Sequence, residues 1–180
     1  NLKTILNQIK QIENLVNEFS DFARMPKPII KKNNIIEIIN NNINILKNVS
    51  KDIKINFNIN KKHSLFFNFD REQISRVFFN LVKNSVESIQ EKSTKSTNFD
   101  KIINIEIIER KDYINIKLSD TGVGFLKNDI KQLTKPYFTT KEKGTGLGLS
   151  IVNKIINDHN GNMQFINNSN GADIVITLPK

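Results

Sequence analysis

Hydrophobic and polar positions change their period several times along the 180-residue chain. Leu2, Ile5, Ile9, Ile12, Val16, Phe19 and Ala23 recur at alternating intervals of three and four. This heptad seam predicts one helix from residue 1 to about 24 and suits a bundle with partner helices. Met25-Pro26-Lys27-Pro28 stops it, because each proline lacks an N–H donor and pushes its predecessor out of the helical region. That puts a domain boundary near residue 26, dividing 1–26 from 27–180. A short extended piece at about 29–32 and a helix at about 34–48 come next. Ile53, Ile55, Phe57 and Ile59 alternate with polar residues as a half-buried strand does, and Leu65 to Phe69 makes another. Asp70 opens a long helix to about 91, with Gln73 spaced to complete a capping box. Residues 92–100 read as a polar loop. Strands follow at about 102–109 and 113–119. The Gly-, Thr- and Lys-rich stretch 120–148 has room only for a short helix near 126–132. A helix at about 147–158 stops at Asn160-Gly161, a suitable left-handed end, and strands at about 162–167 and 172–178 close the chain. No repeat is visible. The order predicts an α+β fold, a mixed sheet covered by helices on one face, preceded by an isolated heptad helix.

Composition changes this picture little. A hydrophobic fraction of 38% and a charged fraction of 25% fit a globular domain, and no apolar run nears the roughly 20 residues that span a bilayer. Cysteine is absent, so disulfides and thiolate metal sites are excluded. The net charge of +9 raises nucleic acid as a partner. The lysines are scattered, however, without the basic and aromatic interleaving of single-strand binders, so no nucleic-acid partner is expected. The first residue is Asn1 rather than Met, and the chain is expected to be a piece of a larger protein.

Four stretches carry candidate chemistry. On the long helix, Ile74, Val77, Phe78, Leu81, Val82, Ser85 and Ile89 form the core-facing arc, and Asn80, Asn84 and Glu87 form a polar stripe beside it. An amide oxygen there is a neutral ligand for Mg²⁺. Asp120-Thr121-Gly122-Val123-Gly124 follows a strand directly. Its glycines let backbone approach a flat ligand, and its carboxylate is placed to accept from an exocyclic amine; an ordinary turn accounts for the same residues. Gly144-Thr145-Gly146-Leu147-Gly148 opens a helix, where free N–H groups favour phosphate. It is neither the dinucleotide fingerprint nor a P-loop. Between them, Phe138-Thr139-Thr140-Lys141 and Lys143 offer ammonium groups to phosphate oxygens.

The ordered set resembles the N, G1, F and G2 boxes of sensor histidine kinases, within the GHKL ATPase superfamily, over residues 29–180. Phe19-Ser20-Asp21-Phe22-Ala23-Arg24-Met25-Pro26-Lys27-Pro28 is similar to the end of the second dimerisation helix in kinases of the NtrY/NtrB nitrogen-regulation type. The resemblance implies a Bergerat-type two-layer α/β sandwich binding ATP with Mg²⁺. Asn84 would hold the metal and Asn80 would contact or support phosphate. Asp120 would bind the adenine amino group against Gly122 and Gly124. Phe138, Thr139, Thr140, Lys141 and Lys143 would form the mobile lid, and Gly144, Thr145, Gly146, Leu147 and Gly148 would present N–H groups to the phosphates. One departure stands out: many members carry Lys or Arg one turn after the second Asn, where this chain has Glu87. Charge neutralisation then rests on Mg²⁺, Lys141 and Lys143.

The resemblance also implies an acceptor histidine in a His-Glu context followed by Asn-Pro, on a first dimerisation helix. This chain has only His63, in a turn, and His159, near a helix C-terminus where it suits the helix dipole. Neither has that context. The expectation is therefore an ATP-binding catalytic domain that does not phosphorylate itself and contains no catalytic acceptor. Its implied partners are the dimerisation helices of a homodimeric parent and a response regulator. Its implied location is cytoplasmic, with membrane contact only through other parts of an anchored parent. The alternatives are a GHKL serine kinase, against which the heptad seam argues, and a GHKL ATPase. Such hydrolases place Glu four residues before the metal-binding Asn to activate water; here that residue is Asn80, which cannot take a proton.

Overall fold

Isoleucine or leucine at every second position of the central strands gives the sheet one apolar face that must be covered. The computed structural model describes residues 2–59, 63–96, 98–126, 130–141 and 144–180, apart from the side chains of Lys3, Asn7, Gln11, Asn14, Asp21, Asn48 and Val49. The elements are α1 (Leu2–Ala23), β1 (Lys31–Asn34), α2 (Ile35–Val49), β2 (Lys54–Ile59), β3 (Phe66–Phe69), α3 (Arg71–Lys95), β4 (Ile102–Glu109), β5 (Tyr113–Asp120), α4 (Gly148–Asp158), β6 (Asn162–Asn167) and β7 (Ala172–Pro179). Five strands form one mixed sheet in the order β2-β4-β5-β7-β6, with β2 and β4 parallel and the other neighbours antiparallel. Ile103, Ile105 and Ile107 of β4, Ile114, Ile116 and Leu118 of β5, and Ile174, Ile176 and Leu178 of β7 are buried. Helix α3 lies between α2 and α4 and contacts β4 and β5. The predicted α+β layering is the observed one.

β1 and β3 pair antiparallel as a separate small sheet, with Lys31 opposite Phe69. It leads the chain from the proline stop onto the N-terminus of α3. Helix α1 stands apart. Its seam residues Leu2, Ile5, Ile9, Ile12, Val16 and Phe19 are exposed, while Phe22 and Met25 pack against the core.

Three expectations change. The stretch 92–95 is not loop, because α3 runs on to Lys95. Ser93 returns its hydroxyl to the Ile89 carbonyl (2.9 Å), and Lys95 pairs with Glu91 at 2.9 Å, both one turn back. The short helix expected near 126–132 falls partly outside the described residues, and 130–134 form turns. The capping box forms only by half. Asp70 Oδ1 accepts from the Gln73 N–H at 2.9 Å, but the Gln73 side chain donates to the Pro26 carbonyl at 3.0 Å instead of reaching back. The Asp70 N–H is already taken by His159 Nε2 at 3.0 Å.

That last bond fixes His159. Nε2 accepts, so Nδ1 carries the proton to the Ile155 carbonyl at 2.7 Å. The ring is a buried neutral link between α4 and the start of α3, not a cation facing the helix dipole. The left-handed residue ending α4 is Asn160 (φ 56°), while Gly161 lies where a Cβ would meet the Thr177 carbonyl at 2.7 Å.

Asp70 therefore joins three segments, because its second oxygen also accepts from the Ile29 N–H at 2.6 Å. Asp70→Ala removes the α3 cap and strands the Ile29 donor. We expect a loss of about 2–3 kcal/mol, read from urea unfolding midpoints with an unchanged m-value.

Candidate functional site

The period of β5 carries a carboxylate into the interior. Ile114, Ile116 and Leu118 face the helices, and Asp120 holds the next position of the same row, buried at 6% exposure. Its Oδ2 accepts from the Ser85 hydroxyl of α3 at 2.9 Å, and Oδ1 accepts from the Gly122 N–H at 2.9 Å. Burial pushes this carboxyl above the usual carboxylate range. Donors from Gly122, Ser85 and Ala172 pull it partly back, and the nearby Asp173 charge adds to the upward push. Both oxygens keep lone pairs for a further donor.

The loop after Asp120 is held closely against α3. The Val123 N–H donates to Ser88 Oγ at 3.0 Å, and a Cβ on Gly122 would sit 2.1 Å from the same oxygen. No side chain fits at Gly122. Gly124 has φ 75°, a conformation few other residues adopt. Lys92, expected in a loop, instead donates from α3 to the Thr121 carbonyl at 2.9 Å and the Asn170 carbonyl at 2.6 Å. It clamps this loop from behind.

Asn80 and Asn84 lie on the partly exposed margin of α3. Asn80 donates to the Arg76 carbonyl at 2.9 Å, which leaves its own oxygen facing α4; a Cβ on Gly148 would lie 3.5 Å from that atom. Asn84 Oδ1 accepts from Lys141 Nζ at 3.3 Å, and the same ammonium is ion-paired with Glu87. Gly146 (φ 70°) runs against the Tyr137–Phe138 backbone, where a Cβ would approach Tyr137 C at 2.4 Å, and Gly144 runs against Thr139. The side chain of Leu147 is buried in the core, so this residue offers the site only its backbone. Thr139 Oγ1 accepts from the Lys141 N–H at 3.1 Å, whereas Thr140 is exposed and Phe138 is half-buried. Lys143 lies outside the described residues.

The described residues of the four motifs thus meet around α3. Two clefts of about 310 Å³ each lie elsewhere, beside α1, and none of the motif residues lines either one. Helix α1 reaches the glycine motif through Glu18, which accepts from the Thr145 hydroxyl, and through Phe19, stacked on Tyr137 at 6.4 Å. Sequence reasoning missed Glu18, Ser88 and Lys92, and it placed Ser85 only as a core position. Ser88 was within reach, since it continues the i, i+4 row of Asn80 and Asn84. Ser85 carried a weaker signal: a hydroxyl on an apolar arc needs a buried partner.

Against known proteins, the model of the histidine kinase-, DNA gyrase B- and HSP90-like ATPase family matches residues 69–180. The chain belongs to this family and carries its ATP-binding domain. Nitrogen regulation protein NtrY of Azorhizobium caulinodans is 33% identical over 177 residues, covering 97% of this chain and 23% of that protein. Sporulation kinase E of Bacillus subtilis is 28% identical over 178 residues, covering 97% and 23%. The chain therefore spans about a quarter of the length of the curated relatives it matches. The nucleotide-free catalytic domain of histidine kinase ThkA superposes with a TM-score of 0.73 at 27% identity, covering 84% of this chain and 95% of that one. ThkA in complex with the response regulator protein TrrA shares the fold over 98% of this chain, with a TM-score of 0.80 at 23% identity. No described helix is long and apolar enough to cross a membrane.

Asp120 gives the site a testable signature. Its folded-state pKa is raised, so its contribution to stability is present below the ordinary carboxylate pKa and is lost as pH rises through the folded value. Asp120→Asn keeps the acceptor for Gly122 while removing the buried charge. We expect it to raise the thermal midpoint at neutral pH, with the gain shrinking to nothing as pH falls into the carboxylate range, followed by circular dichroism.

Proposed function

We propose that this chain is the nucleotide-holding part of a sensor histidine kinase, donating the γ-phosphoryl of ATP to a histidine on a dimerisation helix outside it. The supporting observation is the meeting of Asn80, Asn84, Asp120 and the glycine motif around one helix, with an amide rather than a carboxylate at position 80. Asp120 and the Gly122 loop accept the adenine amino group and flatten against its ring. The N–H groups of Thr145, Gly146 and Gly148, at and just before the start of α4, face the phosphates, whereas those of Gly144 and Leu147 are taken by the Lys141 carbonyl and Thr145 Oγ1. Lys141 supplies positive charge, with Lys143 beside it in sequence.

The donor set fits Mg²⁺. Asn84 already turns its amide oxygen toward a cation, the Lys141 ammonium. Among the described residues no group of three His, Cys, Asp or Glu side chains converges on a metal. Asn84, with phosphate oxygens of the nucleotide, would hold such a hard cation, which would supply neutralisation of phosphate charge. Asn80 cannot take a proton from water, which favours transfer over hydrolysis. The remaining work of this chain is to position the nucleotide and exclude competing acceptors. Residues 1–26 are the end of the second dimerisation helix and 27–180 the catalytic domain. A cognate response regulator and a homodimeric parent, anchored at the membrane and facing the cytoplasm with this domain, complete the reading.

A nonhydrolysable ATP analogue should bind with Mg²⁺, and Asn84→Ala should weaken it at least about tenfold, near 1.4 kcal/mol, by calorimetry. Mixed with a separate fragment carrying the acceptor histidine and with labelled ATP, the chain should phosphorylate that fragment and not itself. Binding that Asn84→Ala leaves unchanged, or no transfer to the added fragment, would sink the proposal.

A further inference from the structure

Glu87 holds an unusual place for a site that handles phosphate. It lies on α3 one turn beyond Asn84, a carboxylate beside the residues assigned to an anionic ligand. It is ion-paired with Lys141 of the lid, and the Lys141 ammonium also reaches Asn84 Oδ1 at 3.3 Å. Lys83, one turn before Glu87, stands further away at 3.9 Å, so the lid lysine is the nearer cation. The side chains of Lys141 and Glu87 are 35% and 36% exposed, open enough for the ammonium to change partners. The Lys141 backbone is tied in turn: its carbonyl accepts from the Gly144 N–H at 3.1 Å, and its N–H donates to Thr139 Oγ1 at 3.1 Å. An anchor at Lys141 therefore bears directly on Thr139 and Gly144.

We infer that Glu87 is a positioning residue: it holds the lid against α3 through Lys141, placing that ammonium at the Asn84 amide oxygen before nucleotide arrives. This rests on the nucleotide-binding reading above. The carboxylate's own charge opposes phosphate, so its benefit comes entirely through Lys141. Two consequences of opposite sign follow. With Lys141 present, removing the Glu87 charge frees the lid and weakens binding. With Lys141 absent, the same removal only relieves repulsion and tightens binding.

The experiment compares wild type, Glu87→Gln, Glu87→Asp, Lys141→Gln and the Glu87→Gln/Lys141→Gln double variant by two measurements. Hydrogen exchange of peptides covering 135–141 in the nucleotide-free chain reads lid anchoring. Titration with a fluorescent nonhydrolysable ATP analogue and Mg²⁺ reads affinity. We expect faster lid exchange in Glu87→Gln, partial return in Glu87→Asp, and no added effect of Glu87→Gln once Lys141 is gone. Affinity should fall about threefold in Glu87→Gln, the scale of a partly exposed ion pair, and rise when the same change is made on Lys141→Gln. Unchanged lid exchange in Glu87→Gln, or tighter binding in both backgrounds, overturns the inference. If wild type binds no nucleotide, the functional reading fails by itself, and lid exchange still decides the role of Glu87.

Discussion

Burial of one face of α3 is the constraint on which the rest depends. Ile74, Val77, Phe78, Leu81, Val82, Val86 and Ile89 are all at most 6% exposed. Each such side chain contributes roughly 1.5–3 kcal/mol when taken from water. That burial fixes the rotation of the helix about its axis, and the rotation decides where every polar neighbour on it points. Ser85 falls inward onto Asp120. Ser88 falls beside Gly122 and Val123. Asn80 and Asn84 fall on the margin facing α4 and the lid. Asp120, the Gly122 loop and the two asparagines are all placed through this face, so the core and that part of the chemistry have a common origin in one apolar period.

This explains which parts were legible in the sequence. The strands of the main sheet and helices α1 to α4 follow from periods of two and of 3.6, and they were placed within a few residues. The end of α3 was not, because Lys-Ser-Thr-Lys is polar in any conformation. Its helicity is decided by contacts one turn back and by Lys92 reaching the carbonyls of Thr121 and Asn170. The pairing of β1 with β3 was equally hidden, since a four-residue strand carries no period long enough to name its neighbour. The candidate site was legible as an ordered set of motifs; the hydroxyls that lock it were not. The rows of Ser85 and Ser88 on α3 were readable, but their partners Asp120 and Val123 are set against them only in the third dimension.

His159 shows the same limit from the other side. Its place at the end of α4 is readable, and a dipole argument from that place suggests a cation. The structure instead gives its Nε2 to the Asp70 N–H, the donor that a complete capping box would have used. One long-range bond thus alters two local expectations: Gln73 is released to hold Pro26, and the histidine is kept neutral. Local rules fail here because Asp70 serves the N-terminus of α3, the linker and α4 at once, and only one local pattern can be satisfied.

The charge pattern of the site has a similar logic. Asp120 is kept in an environment that disfavours its ionised form, which costs stability and leaves acceptor capacity waiting for a donor. The nearest partners of the Lys141 ammonium are a carboxylate and an amide oxygen, either of which it can give up for an anion. Thr145 gives its hydroxyl to Glu18 and Tyr137 stacks on Phe19, so α1 touches residues on either side of Lys141. Phe19 also belongs to the exposed heptad seam. A helix that buries Phe19 along that seam must share the ring with Tyr137 or take it away. Tyr137, Lys141 and Thr145 therefore lie between two sets of contacts, with Lys141 held to α3 and Tyr137 and Thr145 to α1.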